Sequence, residues 1–211
     1  RRKPEEHKRD LQRDGFKPVL PGKGVQKKKN SIIFVGNVED RKKGVIYLLK
    51  AMTLTKHKVS LTIVDGGAPN RSTVPNLINK FGLNGRVTFT GKIPIDKLIR
   101  LYSKNEIAVL PSLYEGFGFP AAEAMACELP VLTTTAGALP EVVGEHMKTG
   151  YLVPPRDAHA IAEGIDFLLD NPDLRREMGK AARKRVLEVF TWENAAHELV
   201  AMYEEVINAH R

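Results

Sequence analysis

The chain has 211 residues, 42% of them hydrophobic and 27% charged, enough for the core of one globular domain with short appendages and too little for two full domains. Its net charge of +8 raises the question of a polyanionic partner, but residues 1–30 hold eleven Lys/Arg against four acids, a net +7, so the remaining 181 residues stand near +1. A nucleic-acid-binding face would run basic through the folded body, so no nucleic-acid partner is expected, while contact of the basic head with an anionic membrane surface stays open.

The single cysteine, Cys127, leaves no intramolecular disulfide and no cysteine metal cluster, which fits a reducing, cytoplasmic setting. No stretch approaches the roughly eighteen apolar residues of a spanning helix, and the charged start lacks the apolar centre of a signal peptide. The opening Arg1 suggests a fragment of a longer chain.

Residues 1–30 mix prolines and glycines with their charges and read as a basic linker, so the domain is expected to start at Ser31. From there short β-rich runs alternate with amphipathic helical ones. Strands are expected at 32–35, 59–64, 86–90, 107–110, 131–134 and 151–153, and helices between them at 45–54, 74–81, 95–103, 120–126 and 139–144. Runs such as Ile32-Ile-Phe-Val35 and Ile107-Ala-Val-Leu110 are apolar at consecutive positions, as in a parallel sheet covered on both faces. The fold class is therefore α/β, a Rossmann-like doubly wound parallel sheet over 31–190, with its crevice at the carboxyl ends of the strands. After Asp157 the chain is helical, at 158–169, 174–189 and 192–209; Asn171-Pro172-Asp173 separates the first two, and Thr191 is an N-cap for the third. Leu54, Met125 and Phe167 read as core. The last helix, within residues 191–211, carries Ala195, Leu199, Met202, Tyr203 and Val206 at helical spacing, so one face needs cover, by this domain's own sheet or by something else.

The stretch from Pro111 to Glu123, Pro-Ser-Leu-Tyr-Glu-Gly-Phe-Gly-Phe-Pro-Ala-Ala-Glu, leaves the fourth strand and enters a helix. Gly116 and Gly118 let the backbone turn tightly beside a ligand, and Pro120 suits a first helical turn. The N–H groups of residues 118–121 and the helix dipole form an expected anion site, suited to a diphosphate or to sugar oxygens. Glu115 and Glu123 frame the turn. A carboxylate accepts from two adjacent hydroxyls, which makes either one a reasonable ribose or hexose ligand, and Glu123 stands among small apolar residues where burial is expected. Thr133 to Thr135 and the turn 136–141 are read equally as crevice lining or as ordinary strand and cap residues.

This stretch, with Phe34-Val-Gly36, Lys43-Gly44, Val87-Thr-Phe-Thr-Gly91, Ala136-Gly-Ala-Leu-Pro-Glu-Val-Val143 and Gly150-Tyr-Leu-Val-Pro-Pro155 in the same order, resembles glycosyltransferase family 4, retaining enzymes of the GT-B fold. The likeness covers roughly residues 31–206 and places the chain as the C-terminal, donor-binding half. It implies that Glu115 contacts the transferred sugar, that Glu123 holds the nucleotide ribose, and that Lys43 neutralises the donor diphosphate. Gly116, Phe117, Gly118 and Phe119 would form the turn against the donor, with Ile93 near the base. Glu115 and Lys43 are then the expected catalytic residues.

The sequence departs from the family at Asn37, where an arginine is usual, and the loop to Gly44 is one residue longer. Asn37 supplies a hydrogen bond without charge; Arg41 or Lys42 either reaches the diphosphate instead or is simply solvated. The resemblance implies a nucleoside-diphosphate-sugar donor as substrate with no further cofactor, and a partner in a missing N-terminal acceptor domain to which the last helix crosses; no Asp-x-Asp motif and no histidine cluster is present, so no metal is expected. Without that domain the chain is expected to bind donor and transfer little sugar. Two rival readings are a nucleotide-sugar epimerase of GT-B fold and a non-catalytic nucleotide-binding or interaction module, the latter motivated by Asn37. No Gly-x-Gly-x-x-Gly follows the first strand and no Gly-Lys-Ser/Thr loop is present, so NAD and ATP are not expected.

Overall fold

A computed structural model describes residues 25–65 and 73–209; most of the basic head, residues 1–24, lies outside the described residues. Six parallel strands form one sheet in the order β3-β2-β1-β4-β5-β6. These are β1 (Ser31–Val35), β2 (Ser60–Val64), β3 (Val87–Phe89), β4 (Ile107–Leu110), β5 (Val131–Thr134) and β6 (Tyr151–Val153). The order of strands reverses at β1, which pairs with β2 on one side (Ile33 opposite Thr62) and β4 on the other (Ile32 opposite Ile107).

The consecutive apolar residues of the strands serve two cores. Ile32 and Phe34 of β1 and Ile107 and Val109 of β4 enter one; Ile33, Val35, Ala108 and Leu110 enter the other. Side chains alternate across a strand, so burial on both faces demands an unbroken apolar run. The first core is closed by α1 (Val45–Leu54), α2 (Val74–Lys80) and α6 (Ala158–Asp170). The second is closed by α3 (Ile95–Lys104), α4 (Phe119–Ala126), α5 (Leu139–Val143) and α7 (Pro172–Val189). This is the doubly wound, Rossmann-like arrangement expected from the sequence.

The differences are local. A 3-10 turn at Arg41–Lys43 stands where an open loop was expected, nucleated by Asp40, whose carboxylate accepts from the Lys42 N–H at 2.9 Å. The helix α4 starts at Phe119, one residue early, because Gly118 takes a left-handed φ of +97° as its N-cap. Met125 is fully buried and Phe167 packs against the first core, as read from the sequence, but Leu54 is 44% exposed. The reason is helical phase: α1 buries Val45, Leu48, Leu49 and Met52, and Leu54 falls on the opposite stripe with Ile46 and Lys50.

The last helix, α8 (Trp192–Ala209), buries none of its residues, and Leu199, Met202, Tyr203 and Val206 stay exposed. It does not cover this domain's sheet, because the other helices already occupy both faces. Thr191 caps it as expected, accepting from the Asn194 N–H at 3.2 Å. Among the described residues no helix is long and apolar enough to cross a membrane.

Two leucines of α1 test this packing. Leu48→Ala should cost about 2–5 kcal/mol in urea denaturation, the usual range for emptying a filled core site, whereas Leu54→Ala should stay within about 0.5 kcal/mol.

Candidate functional site

The reversal of strand order sends the loop after β1 to one face and the loop after β4 to the other, which opens a crevice at the carboxyl end of the sheet. Two glycines hold its walls together. Gly44 has φ +66° and lies so close to the β4–α4 loop that a Cβ there would sit 2.0 Å from the Pro111 carbonyl oxygen. Beside it the Leu113 N–H donates to the Lys42 carbonyl at 2.6 Å. Gly137, with φ +58°, comes from the opposite side; a Cβ there would lie 2.2 Å from the Glu115 carbonyl oxygen, which accepts the Ala138 N–H at 3.0 Å.

The β4–α4 loop is thus pinned between the loops after β1 and β5, and Glu115 sits in the middle. Its Oε2 accepts from Lys43 Nζ at 2.7 Å and from Ser112 Oγ at 3.3 Å. The Lys43 and Glu115 side chains are 21% and 15% exposed, so solvent still reaches the pair.

Next to Glu115 the chain enters α4. A Cβ on Gly118 would lie 3.4 Å from Glu115 Cγ, which places the start of the helix against this carboxylate. Of residues 118–121, whose N–H groups were expected to form an anion site, two keep an unspent N–H. Pro120 has none, and the Ala121 N–H is spent on the Gly118 carbonyl at 2.8 Å because the helix begins one residue early. Among the described residues the Gly118 and Phe119 amides have no protein acceptor. Gly116 is exposed; Phe117 packs on Phe190 and Phe119, with ring centroids 5.5 and 4.8 Å away, while Phe119 itself is 64% exposed.

Glu123 lies on the second turn of α4, half-buried, and its Oε2 accepts from the Tyr102 hydroxyl of α3 at 3.0 Å. Burial pushes its carboxyl above the usual carboxylate range, and the Tyr102 hydrogen bond opposes that shift.

Other residues singled out in the sequence stand apart from this cluster. Asn37 is exposed and its Oδ1 accepts the Glu39 N–H at 2.9 Å, closing an Asx turn in its own loop. Arg41 is exposed, with no side-chain partner among the described residues, and Lys42 Nζ lies 5.6 Å from the centre of the Tyr114 ring. Ile93 is half-buried against the second core. Thr133 and Thr134 do not line the crevice: both are fully buried and brace strands, donating to the Leu110 and Ser112 carbonyls.

Gly137 lies in the turn 136–141, read from the sequence equally as crevice lining or as cap, and it supports the crevice. Ser112, Tyr102 and Tyr114 were not singled out as site residues; Tyr102 had no signal, since a tyrosine on an amphipathic helix reads as core.

A six-stranded sheet in this order, with a glycine-lined crevice at its switch point, defines a Rossmann-like α/β domain of the kind found in GT-B glycosyltransferases. Residues 19–185 match the family described as Glycosyl transferases group 1, and the chain belongs to that family. Among its relatives is an MMP alpha-(1->4)-mannosyltransferase from Mycolicibacterium hassiacum, 38% identical over 85% of this chain and 44% of that protein. A sucrose-phosphate synthase from Thermosynechococcus elongatus superposes with a TM-score of 0.77 at 37% identity, covering 86% of this chain and 46% of that one. The C-terminal domain of a glycosyl transferase group 1 family protein (LpcC) from Francisella tularensis superposes at 0.69 with 27% identity, over 80% of this chain and 89% of that domain. The chain thus spans about half the length of the curated relatives it matches.

The close approach at Gly137 separates two kinds of strain. Gly85 also has a left-handed φ, +74°, but a Cβ there meets nothing within 4 Å. Gly85→Ala should therefore cost about 1 kcal/mol from the backbone alone, and Gly137→Ala a further 1–3 kcal/mol or so from overlap with Glu115, read as the difference in thermal midpoint between the two variants.

Proposed function

We propose that this chain is the donor-binding half of a retaining, family 4 glycosyltransferase, which moves a hexosyl group from a nucleoside-diphosphate sugar to an acceptor held by a separate domain. The observation that carries the proposal is the pairing of the Lys43 ammonium with the Glu115 carboxylate at 2.7 Å in the crevice, with the start of α4 and its unpaired Gly118 and Phe119 amides next to that carboxylate. In this reading the diphosphate lies between Lys43 and the start of α4, Glu115 faces the sugar, and Glu123 accepts from the ribose hydroxyls. Retention rests on the family pattern of Glu115 and Glu123.

The chemistry follows from charge. Breaking the anomeric bond loads negative charge onto the leaving diphosphate and positive charge onto the sugar, so the Lys43 ammonium, the unpaired amides at the start of α4 and the helix dipole stabilise the first while Glu115 stands beside the second. The ion pair between Lys43 and Glu115 does not block this. The ammonium has three N–H donors and only one is given to Glu115, so it can donate to a diphosphate as well. Asn37 and Arg41 line the rim of the same loop and offer a neutral hydrogen bond and a mobile charge to the donor. Ile93, at the end of the segment after β3, borders the proposed position of the base. The acceptor belongs to the half of the relatives' length that this chain does not span, and we propose that the chain alone transfers no sugar.

Calorimetric titration of the chain with UDP, GDP and ADP tests this. Saturable binding of at least one is expected, weakened about tenfold or more by Lys43→Ala and by Glu123→Ala. Binding to none of the three, or binding indifferent to both substitutions, would overturn the proposal. Release of transferred sugar onto a carbohydrate acceptor by the chain alone would refute the claim that it needs its acceptor domain.

A further inference from the structure

A buried hydroxyl on α3 is the least explained polar group near the crevice. Tyr102 is 2% exposed in the second core, where a phenylalanine would fill the same space without a polar atom to satisfy. Its hydroxyl has one proton to give. Glu123 Oε2 is 3.0 Å away and the Pro120 carbonyl 3.4 Å, so the shorter and charge-assisted bond goes to the carboxylate.

The two oxygens of Glu123 are consequently unequal. Oε2 is held by the phenol; Oε1 has no partner among the described residues and reaches solvent, since no buried side-chain oxygen there lacks one. A glutamate has three rotatable bonds, and a binding site built on one gains when its conformation is fixed before the ligand arrives. The fixing group sits on a different helix from Glu123, and both helices are anchored in the same core.

We infer that Tyr102 is a positioning residue for the nucleotide: its hydroxyl clamps one oxygen of Glu123, so that the other is presented to the ribose hydroxyls. This rests on the proposed role of Glu123 as the ribose ligand. The protonation states suit the clamp. Burial above all, then the neighbouring Glu123 charge, pushes the Tyr102 phenol well above its ordinary range, so it keeps its proton, while its hydrogen bond counteracts the effect of burial on Glu123.

The test compares wild type with Tyr102→Phe, which keeps the ring and removes only the clamp. Both are titrated with UDP, GDP and ADP and with the three matching 2′,3′-dideoxynucleoside diphosphates, which have no ribose hydroxyls for Glu123 to hold. Tyr102→Phe should raise Kd about tenfold for the ribonucleotide that wild type binds, the size of one hydrogen bond to a charged group, and by less than about twofold for its dideoxy counterpart. If Tyr102→Phe does not fold, Tyr102→Met, with an adaptable apolar side chain in the same space, makes the same comparison. Equal losses on the two ligands, or none on either, would overturn the clamp and leave the donor site standing. Failure of wild type to bind any of the three ribonucleotides would remove the donor site and the clamp together.

Discussion

Three loops come together around the backbone of residues 111–115, and two positions without a side chain let them. At Gly44 and at Gly137 a methyl group would lie 2.0 and 2.2 Å from a backbone oxygen of that segment, far inside any allowed contact. Both positions also need a left-handed φ, so glycine answers a conformational and a steric demand at once. Without the first, the turn carrying Lys43 could not lie against the β4–α4 loop; without the second, the loop after β5 could not support Glu115 from behind. The side-chain pairing of Lys43 and Glu115 at 2.7 Å is downstream of these backbone contacts.

The sheet supplies the place and the loops supply the chemistry. Because β1 is the strand from which the order runs both ways, its loop and that of β4 diverge, and the crevice between them borders the start of α4, where two amides lack a protein acceptor among the described residues. The opposite end of the sheet is built differently. There a cavity of about 310 Å³ is lined by Lys27, Glu106, Cys127 and Arg175 among others, and its charges are already matched to the protein. Arg175 pairs with Glu106 at 2.6 Å, and Lys27 donates to the Asn105 carbonyl at 2.9 Å, tying the entering chain to the strand base. Burial above all, then the neighbouring Arg175 charge, lowers the Lys27 ammonium below its ordinary range.

Much of this was legible in the sequence, for physical reasons. A strand buried on both faces must be apolar throughout, so Ile32-Ile-Phe-Val35 could be placed without ambiguity; a charge among alanines, Glu123, announced its own half-burial. What depends on tertiary contact was less legible. Tyr102 looked like core because its ring is core, and only the packing of α3 against α4 brings its hydroxyl to Glu123. Leu54 was misplaced because hydrophobicity does not report helical phase at a helix end. The 3-10 turn at Arg41–Lys43 arises from one side-chain cap, Asp40, in a stretch whose charges read as a loop. The exposed face of α8 posed the reverse problem. Its apolar spacing led to an expectation of cover, and among the described residues this domain's sheet does not supply it.

The central claim is one of location: a nucleoside diphosphate is bound at the carboxyl end of the sheet, at the start of α4. Backbone amide shifts of isotope-labelled chain, followed by NMR as UDP, GDP or ADP is added, locate the ligand directly. The account predicts the largest changes at Lys43, Gly118 and Phe119, with Glu123 following. Shifts concentrated instead at residues 104–106 and 172–176, beside the cavity at the other end of the sheet, would contradict it.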